Sequence, residues 1–224
     1  MYRLIYFSEP GRAEAIRIIL DISELPWENI TVDFNGYSEL RESKKLPWGL
    51  LPVLETPLGR LSESSSILRY LGKMTDYYPS DAWSEAKVDE CLDAISDMSN
   101  LLVATFSIND LEEKIAARKV LSAPGGKLSN CYDLFCEKLR NSKTGWIAET
   151  EKPSIADIRL FSDCFELVSG NYDGINPSLI EGREILLEFH SKMCAIPSIY
   201  SRYKDMKDDE ILWVYSPDAF STNE

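Results

Sequence analysis

The spacing of apolar and polar positions changes near residue 76. Before it, short runs alternate between the two-residue period of strands and the 3.6-residue period of helices. Residues 2–7, Tyr-Arg-Leu-Ile-Tyr-Phe, are few and rich in β-formers, which predicts a strand. Pro10-Gly11 interrupts, and then Ala15, Ile18, Ile19 and Ile22 recur on one helical face. Residues 27–34 predict a second strand, with Ile30 and Val32 suited to a pleated surface. Asn35-Gly36 reads as a break, with a short, charged, irregular helix expected over 37–45. Residues 53–55 predict a third strand, Pro57 and Gly59 turn the chain, and 60–62 predict a fourth. A helix from Ser64 carries Ile67, Leu68 and Leu71. The order is β-α-β-α-β-β-α over 1–75.

Residues 75–81, with Asp76, Pro79 and Ser80, look like a linker. Beyond them no segment carries a strand pattern. Residues 83–106, 111–139, 154–168, 177–194 and 198–206 predict amphipathic helices, the second interrupted at Pro124-Gly125-Gly126. An all-α bundle over 82–224 is therefore expected. It ends in an acidic tail with Trp213, Tyr215 and Phe220, suited either to covering a pocket or to packing between domains.

Composition narrows the function classes. The 224 residues suffice for one large domain or two small ones, and 44% hydrophobic with 27% charged residues suits a globular core. A formal net charge of −13 opposes binding to nucleic acid or anionic lipid, which draw on clustered Lys and Arg. No apolar stretch nears the ~20 residues of a membrane span. Residues 1–7 carry Arg3 and lack the apolar core of a signal peptide, so a cytoplasmic location is expected. The five cysteines, 91, 131, 136, 164 and 194, are odd in number and irregularly spaced. With His190 the lone histidine, buried free thiols and no metal site are expected.

Three features carry candidate chemistry. Tyr6 ends the first strand, just before a loop and Arg12 at a helix start, where open α/β sheets gather anionic ligands. A phenol there either donates a hydrogen bond to a thiolate or simply packs the core. Pro52 enters the third strand, where an X-Pro bond is either an ordinary trans start or a cis bond presenting backbone groups to a peptide-like ligand. Glu63-Ser64 precedes a helix. Ser64 is either a plain N-cap or, with Glu63, a receptor for an amino-acid head group.

Together these segments resemble the cytosolic glutathione transferases, nearest the tyrosine-type sigma and mu classes. Residues 6–14 (YFSEPGRAE) resemble the family's amino-terminal motif, 48–54 (WGLLPVL) its cis-proline segment, and 61–71 (LSESSSILRYL) its γ-glutamyl motif. Pro153-Ser154-Ile155-Ala156-Asp157 resembles the buried N-cap of its helical domain, where Ser154 and Asp157 suit a capping box. The resemblance implies a thioredoxin-like glutathione-binding domain over 1–75. It also implies an all-α domain over 82–224 that builds the electrophile pocket.

It implies Tyr6 as the catalytic hydrogen-bond donor, with Ser8 a weaker alternative, and Arg12 as a cation lowering the thiol pKa. Gly49, Leu50, Leu51 and Pro52 form the implied cysteinyl contact, and Glu63 and Ser64 hold the γ-glutamyl group. Tyr37 with Arg41 or Lys45 meets the glycyl carboxylate, and Asp97 reaches the partner subunit's glutathione. Glutathione is the implied co-substrate, a small hydrophobic electrophile the second substrate, and a homodimer the assembly. Some features depart from the pattern. Glu63 stands for the usual glutamine, Tyr37 for a tryptophan, and Ser96 for an aspartate that holds a divalent ion in some sigma members. Ala104 replaces a tryptophan of prostaglandin-isomerising relatives. The implied activity is conjugation of glutathione to electrophiles. A glutathione-dependent isomerase or peroxidase and a non-catalytic, crystallin-like protein are the alternatives.

Overall fold

The structure, a computed structural model, describes residues 1–175 and 177–220. The chain divides into two compact units, Met1–Tyr78 and Pro79–Glu224.

The first unit is built on a four-stranded sheet: β1 (Tyr2–Tyr6), β2 (Trp27–Thr31), β3 (Val53–Thr56) and β4 (Gly59–Ser62), in the order β2-β1-β3-β4. β1 and β2 are parallel, and β3 runs antiparallel to both β1 and β4. The helices are α1 (Glu14–Ile22), α2 (Phe34–Glu42) and α3 (Ser64–Thr75), giving the thioredoxin-like β-α-β-α-β-β-α order. Side chains alternate across a strand. Leu4 and Leu54 pair across β1 and β3 and are fully buried on one face of the sheet. Ile5 and Val53 point the other way and form a smaller cluster with Leu46, padded by Tyr37, Leu40 and Leu51. That second cluster anchors the loop before β3.

Two expected boundaries shift here. β2 stops at Thr31, and α2 begins at Phe34, running regularly to Glu42. The cause is Asp33, whose carboxylate accepts the Gly36 backbone N–H at 2.8 Å. It caps the helix and draws Asn35-Gly36 into its first turn.

Past Ser62 no strand occurs among the described residues. The helices are α4 (Ala82–Val103), α5 (Leu111–Ser122), α6 (Lys127–Asn141), α7 (Ile155–Glu166), α8 (Glu184–Cys194) and α9 (Pro197–Tyr203). Gly126 separates α5 from α6, because a Cβ there would lie 2.4 Å from the Val120 and Leu121 carbonyls. The helix expected from 177 starts only at Glu184; before it come a 3-10 turn (Pro177–Leu179) and Gly182 at φ +71°. Every residue of α7 is buried, and it packs against α4 and α8. Its start is the capping box: Asp157 accepts the Ser154 N–H at 2.8 Å, and the Ser154 hydroxyl accepts that of Ala156 at 3.2 Å.

The tail aromatics pack within this second unit. Tyr215 donates to the Ser162 carbonyl at 2.9 Å and Trp213 to that of Ser169 at 2.8 Å. Phe220 rests on Phe165, His190 and Trp213. All five cysteines are free thiols, and four are buried. Burial pushes Cys91 up to about 11 and Cys194 up to about 12, so both stay protonated at neutral pH. No described helix is long and apolar enough to cross a membrane.

Candidate active site

Strand register gathers the three candidate segments of the first unit. Ile5 pairs with Val53, and Val53 with Ser62, forming the last row across β1, β3 and β4. One residue further along each chain stand Tyr6, Pro52 and Glu63. The end of β1, the entry of β3 and the end of β4 therefore share one edge of the sheet, and Ser64 opens α3 beside it.

Tyr6 is half-buried. Its hydroxyl accepts the Arg12 backbone N–H at 3.2 Å, at the 3-10 turn (Gly11–Ala13) that leads into α1. A phenol that accepts a backbone N–H is polarised toward donating its own proton. Gly11, at φ +45°, is required for this approach, since a Cβ there would sit 2.6 Å from the Tyr6 hydroxyl oxygen. Arg12 presents a half-buried side chain at the same turn, and Ser8 is exposed.

The loop that carries Tyr6 into this turn is tied by a residue that the periodicity obscures. Arg17 lies on α1 and is 4% exposed. Its guanidinium donates to the carbonyls of Phe7 (3.0 Å), Glu9 and Pro10 (3.2 Å each), to Glu14 at 2.7 Å and to Asn29 at 3.1 Å. It also lies 5.8 Å from the Tyr6 ring centre. The available signal was a charged i,i+3 pair, Glu14 and Arg17, inside the apolar run that forms α1. A buried charge survives only when paired and fully hydrogen-bonded.

The Leu51-Pro52 peptide bond is cis, and Pro52 is buried. The loop before it is fixed on both sides. Leu46 is in the core cluster, Tyr37 donates its hydroxyl to the Gly49 carbonyl at 3.0 Å, and Arg60 donates to the Lys45 carbonyl at 2.9 Å. Tyr37 thus reaches the loop itself. Arg41 lies in the last turn of α2 with an exposed side chain, and Lys45 is exposed too. Leu50 is exposed, and Leu51 is half-buried against the cluster.

At the third segment the N-cap is Glu63 rather than Ser64. Glu63 adopts φ +68°, ψ +112°, and Ser64 is the first helical residue, 8% exposed. A non-glycine residue held at positive φ stores backbone strain, which concentrates at ligand sites. Beside it, the buried Ser62 hydroxyl has no hydrogen-bond partner. Asp97 belongs to the second unit, exposed on α4.

Residues 2–73 match the family described as Glutathione S-transferase, N-terminal domain. Rat hematopoietic prostaglandin D synthase is 32% identical over 113 residues, 50% of this chain and 56% of the rat protein. The match thus spans about half the length of that relative. Glutathione S-transferase 4 of Caenorhabditis elegans is 25% identical over 211 residues, 92% of this chain and 97% of the worm protein. Among solved structures, prostaglandin synthase D of Nilaparvata lugens superposes with a TM-score of 0.81 at 23% identity, covering 92% of this chain and 98% of its own. At that identity the likeness speaks for the fold alone.

Proposed function

We propose that the chain is a cytosolic glutathione transferase, the reading supported by its match over residues 2–73 to that family's N-terminal domain, and that it activates the thiol of glutathione and transfers its sulfur to electrophilic carbon. A free thiol has a pKa near ~8.5 and is mostly protonated at neutral pH. Lowering it by about two units takes roughly 2.7 kcal/mol of preferential thiolate stabilisation. One aimed hydrogen bond with a nearby cation is of that order. Tyr6 donates that bond, and Arg12 supplies the charge.

In this scheme the thiol proton leaves to solvent. The sulfur's electron pair then forms the carbon–sulfur bond as the leaving group departs with its own pair. Leu51 pairs its backbone with the cysteinyl part, and the neighbouring Gly49, Leu50 and Pro52 shape that wall. Glu63 meets the ammonium, and Ser64, at a helix N-terminus, meets the γ-glutamyl carboxylate. Arg41 or Lys45 pairs with the glycyl carboxylate, with Tyr37 bracing the loop. The second substrate is a small hydrophobic electrophile, consistent with detoxification in the cytoplasm. The assembly is a two-fold homodimer in which Asp97 reaches across to the partner's ligand.

The observation that carries the proposal is the Tyr6 hydroxyl held 3.2 Å from the Arg12 amide, on the sheet edge shared with Pro52 and Glu63. The test is Tyr6→Phe. Glutathione affinity by calorimetry is expected to hold while kcat/KM for a standard electrophile falls about 100-fold. Unchanged turnover removes Tyr6 from the role.

The likeness to prostaglandin D synthases favours one second reading, a glutathione-dependent isomerase. Ala104, where the resemblance implies a tryptophan in prostaglandin-isomerising relatives, weighs against that reading. Turnover of prostaglandin H2 measured beside conjugation separates the two.

A further inference from the structure

Three arginines are more than nine-tenths buried among the described residues: Arg17, Arg118 and Arg159, at 4, 6 and 2% exposure. Arg17 pairs with Glu14 at 2.7 Å and Arg159 with Asp163 at 2.9 Å. Arg118, on α5 of the second unit, has no carboxylate within 4.0 Å among the described residues. Its Nε donates to the Thr105 hydroxyl at 3.0 Å and its Nη1 to the Asp173 carbonyl at 3.2 Å. Nη2 makes no hydrogen bond to a described residue and still meets solvent. The rings of Phe106 and Tyr172, their planes 18° apart, have centres 5.7 and 5.8 Å from the guanidinium carbon. Gly174, at φ +90°, lets the loop press on α5, since a Cβ there would lie 2.7 Å from the Ile115 carbonyl oxygen.

The guanidinium is thus held at Nε and Nη1 with one donor left over. A buried charge without a counter-charge is strongly destabilising, and burial pulls the Arg118 pKa below its ordinary value. A neutral amide donor would serve the same hydroxyl and carbonyl without that cost. We propose that Arg118 is an oxyanion-binding residue, whose Nη2 takes an oxygen of a carboxylate or phosphate group, with the 52% exposed Phe106 ring as the apolar wall beside it. Lys114, one turn earlier on α5, adds a second cation. Of the nearby carboxylates, Glu166 accepts the Tyr172 hydroxyl at 2.8 Å. Asp173 is exposed on the loop and acts on Arg118 only at a distance, so it is the competitor that an incoming anion meets. The site lies in the second unit and does not depend on Tyr6.

The experiment titrates the full chain with inorganic phosphate and with acetate at constant ionic strength. The readout is the Nε–H resonance of Arg118 in 1H–15N spectra, assigned from its loss in Arg118→Lys. Anions held elsewhere on the chain do not count toward it. A saturable shift is expected with at least one of the two probes, and the tighter one says whether phosphate or carboxylate is preferred. Arg118→Lys, which lacks the planar fork, should weaken that binding about tenfold by calorimetry. Asp173→Asn, an exposed change that leaves Arg118 in place, should tighten it about threefold. A resonance that neither anion moves overturns the proposal. So does Asp173→Asn binding no tighter than wild type, because Arg118 is then not the group that the anion meets.

Discussion

Gly11 sets the position of the Tyr6 hydroxyl. The backbone at residue 11 passes so close that a methyl group would displace the oxygen, and its φ of +45° is one that L side chains rarely adopt. Gly11→Ala is therefore expected to act twice. Backbone strain should lower stability by about 1–2 kcal/mol, read as a lower denaturant midpoint. Displacement of the hydroxyl should lower kcat by up to about 100-fold, since an error near 1 Å at a positioned group is of that order. If the variant keeps wild-type kcat, the hydroxyl is not held by this contact. Arg17 works from the other side. Its donors fix the carbonyls of residues 7, 9 and 10, so the loop reaches Gly11 in one conformation. At this scale the sequence was partly legible. Tyr6 and Pro52 stood out by position in their strands. Arg17 did not, because its burial depends on acceptors far along the chain, including Asn29.

Elements were legible where a period ran long enough and misjudged where a side chain overrode it. The β-α-β-α-β-β-α order and the long helices of the second unit followed from apolar spacing together with the proline and glycine breaks between runs. The errors fell at ends: Asp33 extended α2 backward over Asn35-Gly36, and Glu63 took the capping place expected of Ser64. The tail was illegible for another reason. Its aromatics suit several surfaces, and only tertiary contacts choose among them. His190 makes that choice on α8: its Nε2 donates to the Val214 carbonyl at 2.8 Å, and it is 2% exposed among Phe161, Phe165 and Phe220. Burial pushes its pKa down to about 4, against a smaller upward pull from Val214. The folded state thus binds fewer protons than the unfolded state between about pH 4 and pH 6.5. Stability is full above that window and declines as pH falls through it, by about 3 kcal/mol in all. His190→Gln removes this titration. The destabilisation it causes at pH 7 is therefore expected to shrink on acidification toward pH 4, measured by urea unfolding at a series of pH values. A constant difference across the window means that the imidazole is not held neutral.

Charge divides unequally over the whole molecule. Residues 1–78 carry 9 basic and 11 acidic side chains, a net of −2, whereas residues 79–224 carry 15 and 26, a net of −11. The unit proposed to take up the anionic tripeptide is thus nearly neutral, and the helical unit holds most of the excess. Two electrostatic effects oppose each other in that unit. Ion pairs such as Lys87 and Lys138 on Glu90 stabilise it, and they hold the Glu90 carboxyl below its ordinary range. Exposed pairs of this kind contribute little, typically 0–1 kcal/mol. Repulsion among eleven uncompensated charges acts over the whole unit. It is longer-ranged and therefore the more sensitive to screening, whose length falls from ~30 Å at 0.01 M salt to ~10 Å at 0.1 M. Repulsion is expected to dominate. Raising NaCl from about 0.01 to 0.3 M should lift the thermal midpoint by about 2–4 °C, the shift that accompanies roughly 1 kcal/mol in a chain of this size. A midpoint that falls over the same range would mean that the surface ion pairs outweigh the net charge.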